Sequence, residues 1–360
     1  MSPRGRGRRP GGVSEEIRRR HAWLELLQTS GPFLTLPVVH RAFPDPLAPV
    51  PQDRRALVRA MVAEMLDDGG ASRRAVVEVM LRDVLDWQEH LRIDTELPDS
   101  LAEVVAEHGI VVRPDFGFYA DEADTSDDDE PEDAEDGEDD DSDGDATEDT
   151  EDVATAAGRG PWKLLGCYLP WGSHPLARTT TGGWTASGVE RLAVLLRARD
   201  VPIGVVTDGR WWAIVWAPRG GTTGAAVWDA SLFSEDTAWL RALVALLGRR
   251  QFLAVAPPDR LPALLAESLL RQEEVTETLG RQVRDAVEML IGTLDRLDRE
   301  SGGQLLARVD DENLYGGVLT VMMRVVFLLF AEERRLLPSD DDVYDASYSA
   351  GHLVDQLTQR

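Results

Sequence analysis

The chain has 360 residues, of which 43% are hydrophobic, and a formal net charge of −27. This length is enough for two or three domains, each with a core of its own. Its one cysteine, Cys167, excludes an internal disulfide, which fits a cytoplasmic protein. No apolar stretch typical of a secretory signal follows the first residues.

The basic start of the chain is predicted to be a disordered tail over residues 1–20. This stretch carries seven arginines and two glutamates, a net charge of +5. The alternative is an arm whose arginines contact the phosphates of duplex DNA. The candidates for such contacts are Arg4, Arg6, Arg8 and Arg9.

Residues 21–118 have the pattern of a helical domain. Apolar positions at helical spacing predict helices over HAWLELLQT, over residues 51–70, and over residues 72–92 with Ser72 as the N-cap. A further helix is predicted near DSLAEVVAEHG, and the next segment, IVVRPDFGFY, is predicted to be extended. This order is compatible with a winged-helix module and equally with a plain helical bundle.

Most of the negative charge lies in a single run. Residues 121–152 carry 21 acidic side chains and no basic one, and removing these charges from −27 leaves −6. A run of this composition has no apolar side chains to bury, so we expect a disordered acidic linker over residues 119–158. The functional alternative is a strip that mimics DNA and competes for a basic surface.

Residues 159–256 have the pattern of an α/β domain. VPIGVVTDGRWWAIVWAP predicts a hairpin that turns at Asp208 and Gly209. Its second strand is apolar on both faces, so we expect it to be buried on both sides. An amphipathic helix precedes this hairpin. Another strand and a helix capped by Ser234 are predicted after it.

Basic charge and tryptophan make this α/β segment the first place to look for nucleic-acid contacts. It has 11 basic against 6 acidic side chains and eight of the ten tryptophans. We expect Trp212 and Trp216 to be core residues, and Trp171 and Trp184 to be more exposed. The candidate DNA contacts are Arg178, Arg210 and Arg219, because each lies in or next to a predicted loop; ordinary surface charge is the alternative.

Residues 257–360 are predicted to form a helical domain. A long helix or a broken pair comes first, with an approximate heptad seam at Leu279, Val283, Leu290, Leu294 and Leu297. The stretch LYGGVLTVMMRVVFLLFAEERRLLP follows. Its apolar run is shorter than the roughly 20 residues of a bilayer crossing, and Arg324 interrupts it. We therefore predict a buried helix of a soluble domain and no membrane span.

The residues of three familiar chemistries are missing from the sequence. A restriction-type nuclease uses two acidic groups and a lysine, but the only lysine, Lys163, precedes all the acidic residues of the α/β segment. The only asparagine, Asn313, is followed by leucine, so an Asn-Pro-Pro-aromatic loop is absent. The six histidines lack metal-ligand spacing. We expect no catalytic, cofactor-binding or metal-ligating residue in this chain.

Three segments together resemble one family. The stretch at residues 314–338 resembles the helical segment before the methyltransferase domain of large bacterial adenine-specific DNA methyltransferases, both Type IIG-like restriction–modification enzymes and DISARM-type phage-defence enzymes. SGVERLAVLLRARDVPIGVVTDGRWWAIVWAPRG is similar to their upstream nuclease-like α/β region. HAWLELLQTSGPFLTLPVV looks like the start of the DISARM-type members.

The resemblance implies a parent activity, which is S-adenosylmethionine-dependent methylation of adenine in duplex DNA. Its cofactor turn and Asn-Pro-Pro-aromatic loop would lie beyond Arg360, in a methyltransferase domain missing from this chain. The implied partners are duplex DNA, other defence-system subunits and a C-terminal methylase part. The fold expected is mixed α+β, with an N-terminal helical module, a central nuclease-like α/β domain and a C-terminal helical domain.

Two other functions stay open at this point. A stand-alone protein could bind DNA or another protein without catalysis, with the acidic strip as its regulator. A nuclease in the α/β segment would need an arginine in place of the missing lysine.

Overall fold

The computed structural model describes residues 15–121, 161–235, 237–333, 336–338 and 341–358. They form a mixture of helices and strands, as expected for an α+β chain, and divide into two compact units, Met1–Arg271 and Gln272–Arg360. The four tail arginines and the acidic run from residue 122 onward lie outside the described residues.

Unit 1 is built on a mixed sheet of seven strands. In chain order these are β1 (Gln28–Ser30), β2 (Leu91–Ile93), β5 (Phe116–Tyr119), β6 (Trp162–Tyr168), β9 (Ile203–Thr207), β10 (Trp211–Trp216) and β11 (Gly224–Asp229). Their order across the sheet is β1-β11-β10-β9-β6-β5-β2. Two small hairpins stand apart, formed by β3 (Glu103–Val105) with β4 (Ile110–Val112) and by β7 (Thr179–Thr181) with β8 (Trp184–Ala186).

Four of the seven strands run in the same direction. β6 is parallel to β9, and β10 is antiparallel to both β9 and β11. β5 is antiparallel to both β2 and β6. β2, β6, β9 and β11 therefore all end at one edge of the sheet.

Helices cover both faces of the sheet. They are α1 (Glu15–Arg20), α2 (Trp23–Leu26), α3 (Leu36–Ala42), α4 (Gln52–Asp67), α5 (Arg73–Val79), α6 (Gly188–Arg199), α7 (Thr237–Leu247) and α8 (Arg249–Leu253). α4, α5 and α7 share one core with Trp212 and Trp216, while α6 shares the other with Ala213 and Val215. The expected hairpin and its burial on both faces are confirmed.

The sheet crosses the boundary that we predicted between a helical domain and an α/β domain. β1, β2 and β5 come from residues 21–118, and β5 pairs with β6 on the far side of the acidic run. Tyr119 ends β5 and Ala120 is fully buried, so a linker beginning at residue 119 is wrong. These two segments fold together because the core under the sheet takes side chains from both.

Three local predictions in unit 1 differ from the structure in whole or in part. DSLAEVVAEHG forms a 3₁₀ turn at Asp99–Leu101, then β3 and a turn at Gly109, whose φ is +63°, in place of an α-helix. Ser72 is at the N-cap position of α5, as predicted, but its side chain makes no capping hydrogen bond. α7 begins at Thr237, so Ser234 is not at its N-cap position.

The described part of unit 2 is helical. α9 (Leu261–Glu300) is a single helix of 40 residues that begins in unit 1, and α10 (Asp311–Glu333), α11 (Asp342–Ser347) and α12 (Ala350–Thr358) follow. Leu279 and Leu297 of the expected heptad seam are exposed. Glu332 holds the start of α12, where its carboxylate accepts from the N–H groups of Ala350 and Gly351 at 2.7 and 3.0 Å.

Unit 2 begins later than the residue 257 that we predicted. Leu261, Leu264 and Leu265 are fully buried in the core of unit 1. Ser268 is also buried, and its hydroxyl accepts from the N–H group of Thr35 at 3.1 Å. The first turns of α9 therefore belong to unit 1.

Candidate functional site

One edge of the large sheet collects charged and aromatic side chains from distant parts of the sequence. Asp94 follows β2 and Asp115 precedes β5, while Asp208 follows β9 and Asp229 ends β11. We call these four aspartates the carboxyl-edge cluster, together with their neighbours Arg74, Tyr168, His174, Arg210 and Trp211. Ligands of open sheets bind outside the carboxyl ends of parallel strands, so this edge is the candidate site of unit 1.

Asp208 organises the turn between β9 and β10. Its Oδ1 accepts from the N–H groups of Arg210 and Trp211 at 3.0 and 2.7 Å, and its Oδ2 accepts from that of Gly172 at 2.9 Å. Burial raises the pKa of Asp208, although these backbone hydrogen bonds oppose the change. The carboxylate therefore ties two loops together at the cluster.

Arg210 is held against Asp229 and Trp211. Its Nε and Nη2 donate to the two carboxylate oxygens of Asp229 at 3.1 and 2.8 Å, and its guanidinium lies 4.8 Å from the Trp211 ring centroid. Burial alone would raise the pKa of Asp229, but hydrogen bonds from Arg210 and Ser231 lower it. Arg210 and Asp229 therefore form a bidentate ion pair, a geometry to which the planar guanidinium of arginine is suited.

Arg74 and Tyr168 form a second arginine–aromatic pair. The guanidinium lies 4.8 Å from the ring centroid of Tyr168 and 3.4 Å from Asp94. The N–H group of Tyr168 donates to Asp115 at 2.7 Å. Burial raises the pKa of Asp115 and that of Tyr168. Each arginine of the cluster thus pairs with one aromatic ring and one carboxylate.

His174 contacts residues of β10 and β1, on the side of the cluster where Asp208 and Asp229 lie. Its ring is 4.6 Å from the Trp211 ring, and its Nε2 is 3.1 Å from the side-chain oxygen of Gln28. Burial lowers the pKa of His174, against the opposing influence of Asp208 and Asp229. A largely neutral imidazole at neutral pH therefore adds a hydrogen-bonding group without adding a charge.

The carboxylates of the cluster are engaged in hydrogen bonds and ion pairs. Within the described ranges, no three His, Cys, Asp or Glu side chains are grouped so that they could hold a metal ion. The carboxylates instead accept hydrogen bonds from backbone and arginine groups. Arginine stacked on an aromatic ring is a surface that takes phosphates and bases of nucleic acids.

The three arginines predicted as DNA contacts do not lie together. Arg210 belongs to the carboxyl-edge cluster, and Arg178 follows β6 and pairs with Glu190 at 3.1 Å. Arg219 follows β10, which runs the opposite way, so it lies at the other edge of the sheet, 3.7 Å from Asp200. The side chains of Arg178 and Arg219 are 62% and 67% exposed, so their ion pairs are weak and easily exchanged.

The aromatic and cysteine predictions have mixed outcomes. Trp212 and Trp216 are buried, as expected. Trp171 is half-buried against the unit 1 core, and Trp184 is half-buried with its ring stacked on His108, so neither is fully exposed. Cys167 is partly buried with its Sγ 3.4 Å from the carbonyl of Arg113, and burial raises the pKa of its thiol.

The described turns of unit 1 do not fit S-adenosylmethionine. The start of α6 is closed by Ser187 and Glu190, whose side chains each accept from the other's N–H group. The cofactor's carboxylate would meet the Glu190 carboxylate there. Gly209 follows β9, and a Cβ at this position would lie 2.7 Å from the Met65 sulfur and 2.9 Å from the Cβ of Arg73, so these two side chains cover that side of the glycine. We therefore derive no step through this cofactor.

Unit 2 carries a second candidate surface, on α10. We predicted a buried helix, but only Val318 and Ala331 of its apolar stretch are buried, while Phe327 is 64% exposed. Among the described residues, Asp311–Glu332 is the one helical segment long and apolar enough to cross a membrane, judged by length and composition alone. Leu319, Met323 and Phe327 follow each other at four-residue spacing along one apolar depression of this helix.

No family model, curated protein or solved structure matches the chain. The resemblance to adenine-specific DNA methyltransferases therefore stays a prediction from the sequence.

Proposed function

We propose that this chain is the N-terminal part of an S-adenosylmethionine-dependent DNA adenine-N6 methyltransferase of a restriction–modification or phage-defence system. In this proposal the chain binds DNA and a partner in the cytoplasm, and the methyl-transfer site lies on another polypeptide segment. We also propose that the α/β region is related to nuclease folds. The observation that carries it is the uncovered apolar surface of α10.

An apolar helix with this degree of exposure calls for a partner. Large exposed apolar patches on soluble proteins mark interaction sites, and a helix that is apolar all round is normally buried. Val321, Met323, Val325, Phe327 and Phe330 of α10 are all exposed. We infer that the methyltransferase part is the protein that covers them.

The partner surface is tested by replacing Met323 and Phe327 with glutamate. The double variant is expected to lose binding to the polypeptide that carries the glycine-rich cofactor turn and the Asn-Pro-Pro-aromatic loop. Leu279→Glu is the control, because Leu279 is also exposed in unit 2 but lies on α9. Equal binding by the double variant and the parent chain in calorimetry would overturn the proposal. Flotation with liposomes would identify a bilayer as the occupant instead, and light scattering would identify a second copy.

The partner polypeptide can be sought directly in the gene neighbourhood. The nucleotide sequence after codon 360, translated in three frames, is expected to encode both methyltransferase motifs. Unrelated coding sequence in all three frames would favour the stand-alone interaction protein.

The carboxyl-edge cluster is the DNA surface in this proposal. Arg210 and Arg74 present guanidinium groups beside half-buried aromatic rings, and salt-dependent binding to a labelled duplex measures their contribution. Arg210→Met is expected to reduce the salt slope by about 0.9, the change for one phosphate contact. Arg219→Met removes the same charge at the opposite edge and is expected to leave the slope unchanged. Equal effects of the two substitutions would exclude the cluster as the DNA surface.

The alternative function is a stand-alone interaction protein that is regulated by its acidic strip. The observation that favours it is the concentration of 21 acidic side chains in residues 121–152. Deleting these residues distinguishes the two readings. Autoinhibition predicts tighter and more salt-sensitive DNA binding after the deletion, whereas a passive linker predicts little change.

A further inference from the structure

A cavity of about 650 Å³ lies among the helices of unit 1, and its lining shares no residue with the carboxyl-edge cluster. Its walls come from the segment after α3, the start of α4, the segment after α5, and α7 with α8. The apolar part of the lining includes Phe43, Leu47, Val84, Val244 and Val255. This volume lies within the range of small-molecule sites, and a mostly apolar wall with a few polar groups is their usual composition.

Two arginines of the lining lack an acidic partner. Arg249 pairs with Asp86 at 3.3 Å, and among the described residues Arg54 and Arg250 form no ion pair. Of the acidic residues in the lining, Asp259 is bound to Arg41 at 2.7 Å. The exposed Asp45 remains as the one unpaired carboxylate. The three arginines and three aspartates of the lining balance in formal charge, but within the described ranges Arg54 and Arg250 have no ion pair that would keep their guanidinium groups from an anion.

The wall beside these arginines has an unusual backbone. Residues Met80–Val84 form a π-helical turn, and Asp86 follows it with a φ of +61°. A residue other than glycine pays about 1–2 kcal/mol for this left-handed conformation. Asp86 is held in it by Arg249 and by Gln88, whose amide donates at 3.2 Å. Both π-helical turns and retained backbone strain recur at functional sites.

We propose that this cavity binds a small amphipathic anion, an organic molecule with an apolar body and one anionic group. The apolar body packs against the lining around Phe43 and Val244. The anionic group, a carboxylate, sulfonate or phosphate, is held by Arg54 and Arg250. The site is independent of the DNA and partner surfaces, since it uses neither the carboxyl-edge cluster nor α10.

The test is a fluorescence titration of the full chain with anilinonaphthalene sulfonate, and with neutral phenylnaphthylamine as the matched probe. Arg54 and Arg250 are both replaced by methionine, which keeps an unbranched side chain of similar helix propensity. Arg59→Met is the control, because Arg59 is exposed on α4 outside the cavity. Ala245→Phe fills the cavity, so it tests whether the saturable fluorescence comes from dye bound there. The exposed surface of α10 is expected to bind such dyes too. The comparison therefore uses only the saturable part of the dye fluorescence that differs between the variants.

We expect the double variant to bind the sulfonate about tenfold more weakly, which corresponds to 1.4 kcal/mol. Its affinity for the neutral probe is expected to change less than about twofold, a difference below 0.5 kcal/mol. Ala245→Phe should remove the saturable component for both probes. The proposal is overturned by unchanged sulfonate affinity in the double variant, by an equal loss in Arg59→Met, or by a saturable component that survives Ala245→Phe.

Discussion

Replacing Asp208 with asparagine tests whether its carboxylate holds the two loops of the carboxyl-edge cluster. Both oxygens of Asp208 accept backbone hydrogen bonds, two at Oδ1 and one at Oδ2 from Gly172. An asparagine can keep the bonds at Oδ1, but its NH₂ group would then face the Gly172 N–H group. An unsatisfied donor costs about 1–3 kcal/mol. Because Gly172 is exposed, we expect a loss near the lower end of that range.

The cost of Asp208→Asn is expected to depend on pH in a definite direction. Burial raises the pKa of Asp208 in the folded chain. A carboxyl group with a raised pKa contributes most stability below its unfolded pKa of about 3.9, and this contribution is lost as the pH rises through the folded value. Asparagine does not titrate. The substitution should therefore cost more free energy of unfolding at about pH 4 than at about pH 7.

Tryptophan fluorescence gives the measurement, because all ten tryptophans precede residue 272 and report on unit 1 alone. Urea unfolding of Asp208→Asn is compared with that of Asp200→Asn. Asp200 is at the other sheet edge with a φ of +56°, a conformation that asparagine adopts readily. We expect less than about 0.5 kcal/mol for this control. Equal free energies of unfolding for Asp208→Asn and the parent chain at both pH values would refute the reasoning.

Substitutions at three further sites test other parts of the structure. Glu332→Gln weakens the acceptor at the start of α12 and should destabilise that helix by about 0.5–2 kcal/mol, seen as faster hydrogen exchange of residues 350–358. Burial and nearby His40 lower the pKa of His21, so its contribution to stability is present above about pH 6.5 and lost on acidification. His21→Phe should remove that loss, measured as the shift of the urea midpoint between neutral and acidic buffer. Asp86→Gly should be more stable than Asp86→Ala by about 1–2 kcal/mol in urea unfolding, because glycine adopts the left-handed conformation without strain.

Elements set by local sequence could be predicted well. The β9–β10 hairpin has a favoured turn pair between two β-branched and aromatic runs, and α6 has a serine cap, Ser187, and an amphipathic face. The segment at 99–109 shows the limit of this approach. Its alanines and glutamates favour a helix, but Val104 and Val105 pair with β4 across the turn at Gly109. Strand pairing there overrides a weak helix preference.

The carboxyl-edge cluster could not be predicted, because its members come together only through the pairing of strands. Asp94, Asp115 and Tyr168 are far apart in sequence, and the long acidic run separates β5 from β6. Of the three candidate arginines that the structure describes, Arg210 is in the cluster, and Arg178 and Arg219 are not. The signal that could have found Asp115 and Asp208 is positional, since each lies directly beside a strand.

The helix α10 shows that an apolar pattern can predict a helix without predicting whether that helix is buried. The pattern specifies a helix, and Asp311–Glu333 is one. Whether a helix is buried depends on the residues that pack around it. The described part of unit 2 has too few such residues to cover Phe327 and Phe330. Transferring such side chains from water stabilises an assembly by about 1.5–3 kcal/mol each. A protein partner, a second copy and a bilayer all offer this gain. Arg324 favours the protein, because a charged side chain near the middle of a lipid-facing helix costs about 3 kcal/mol, whereas a protein surface can pair it with a carboxylate.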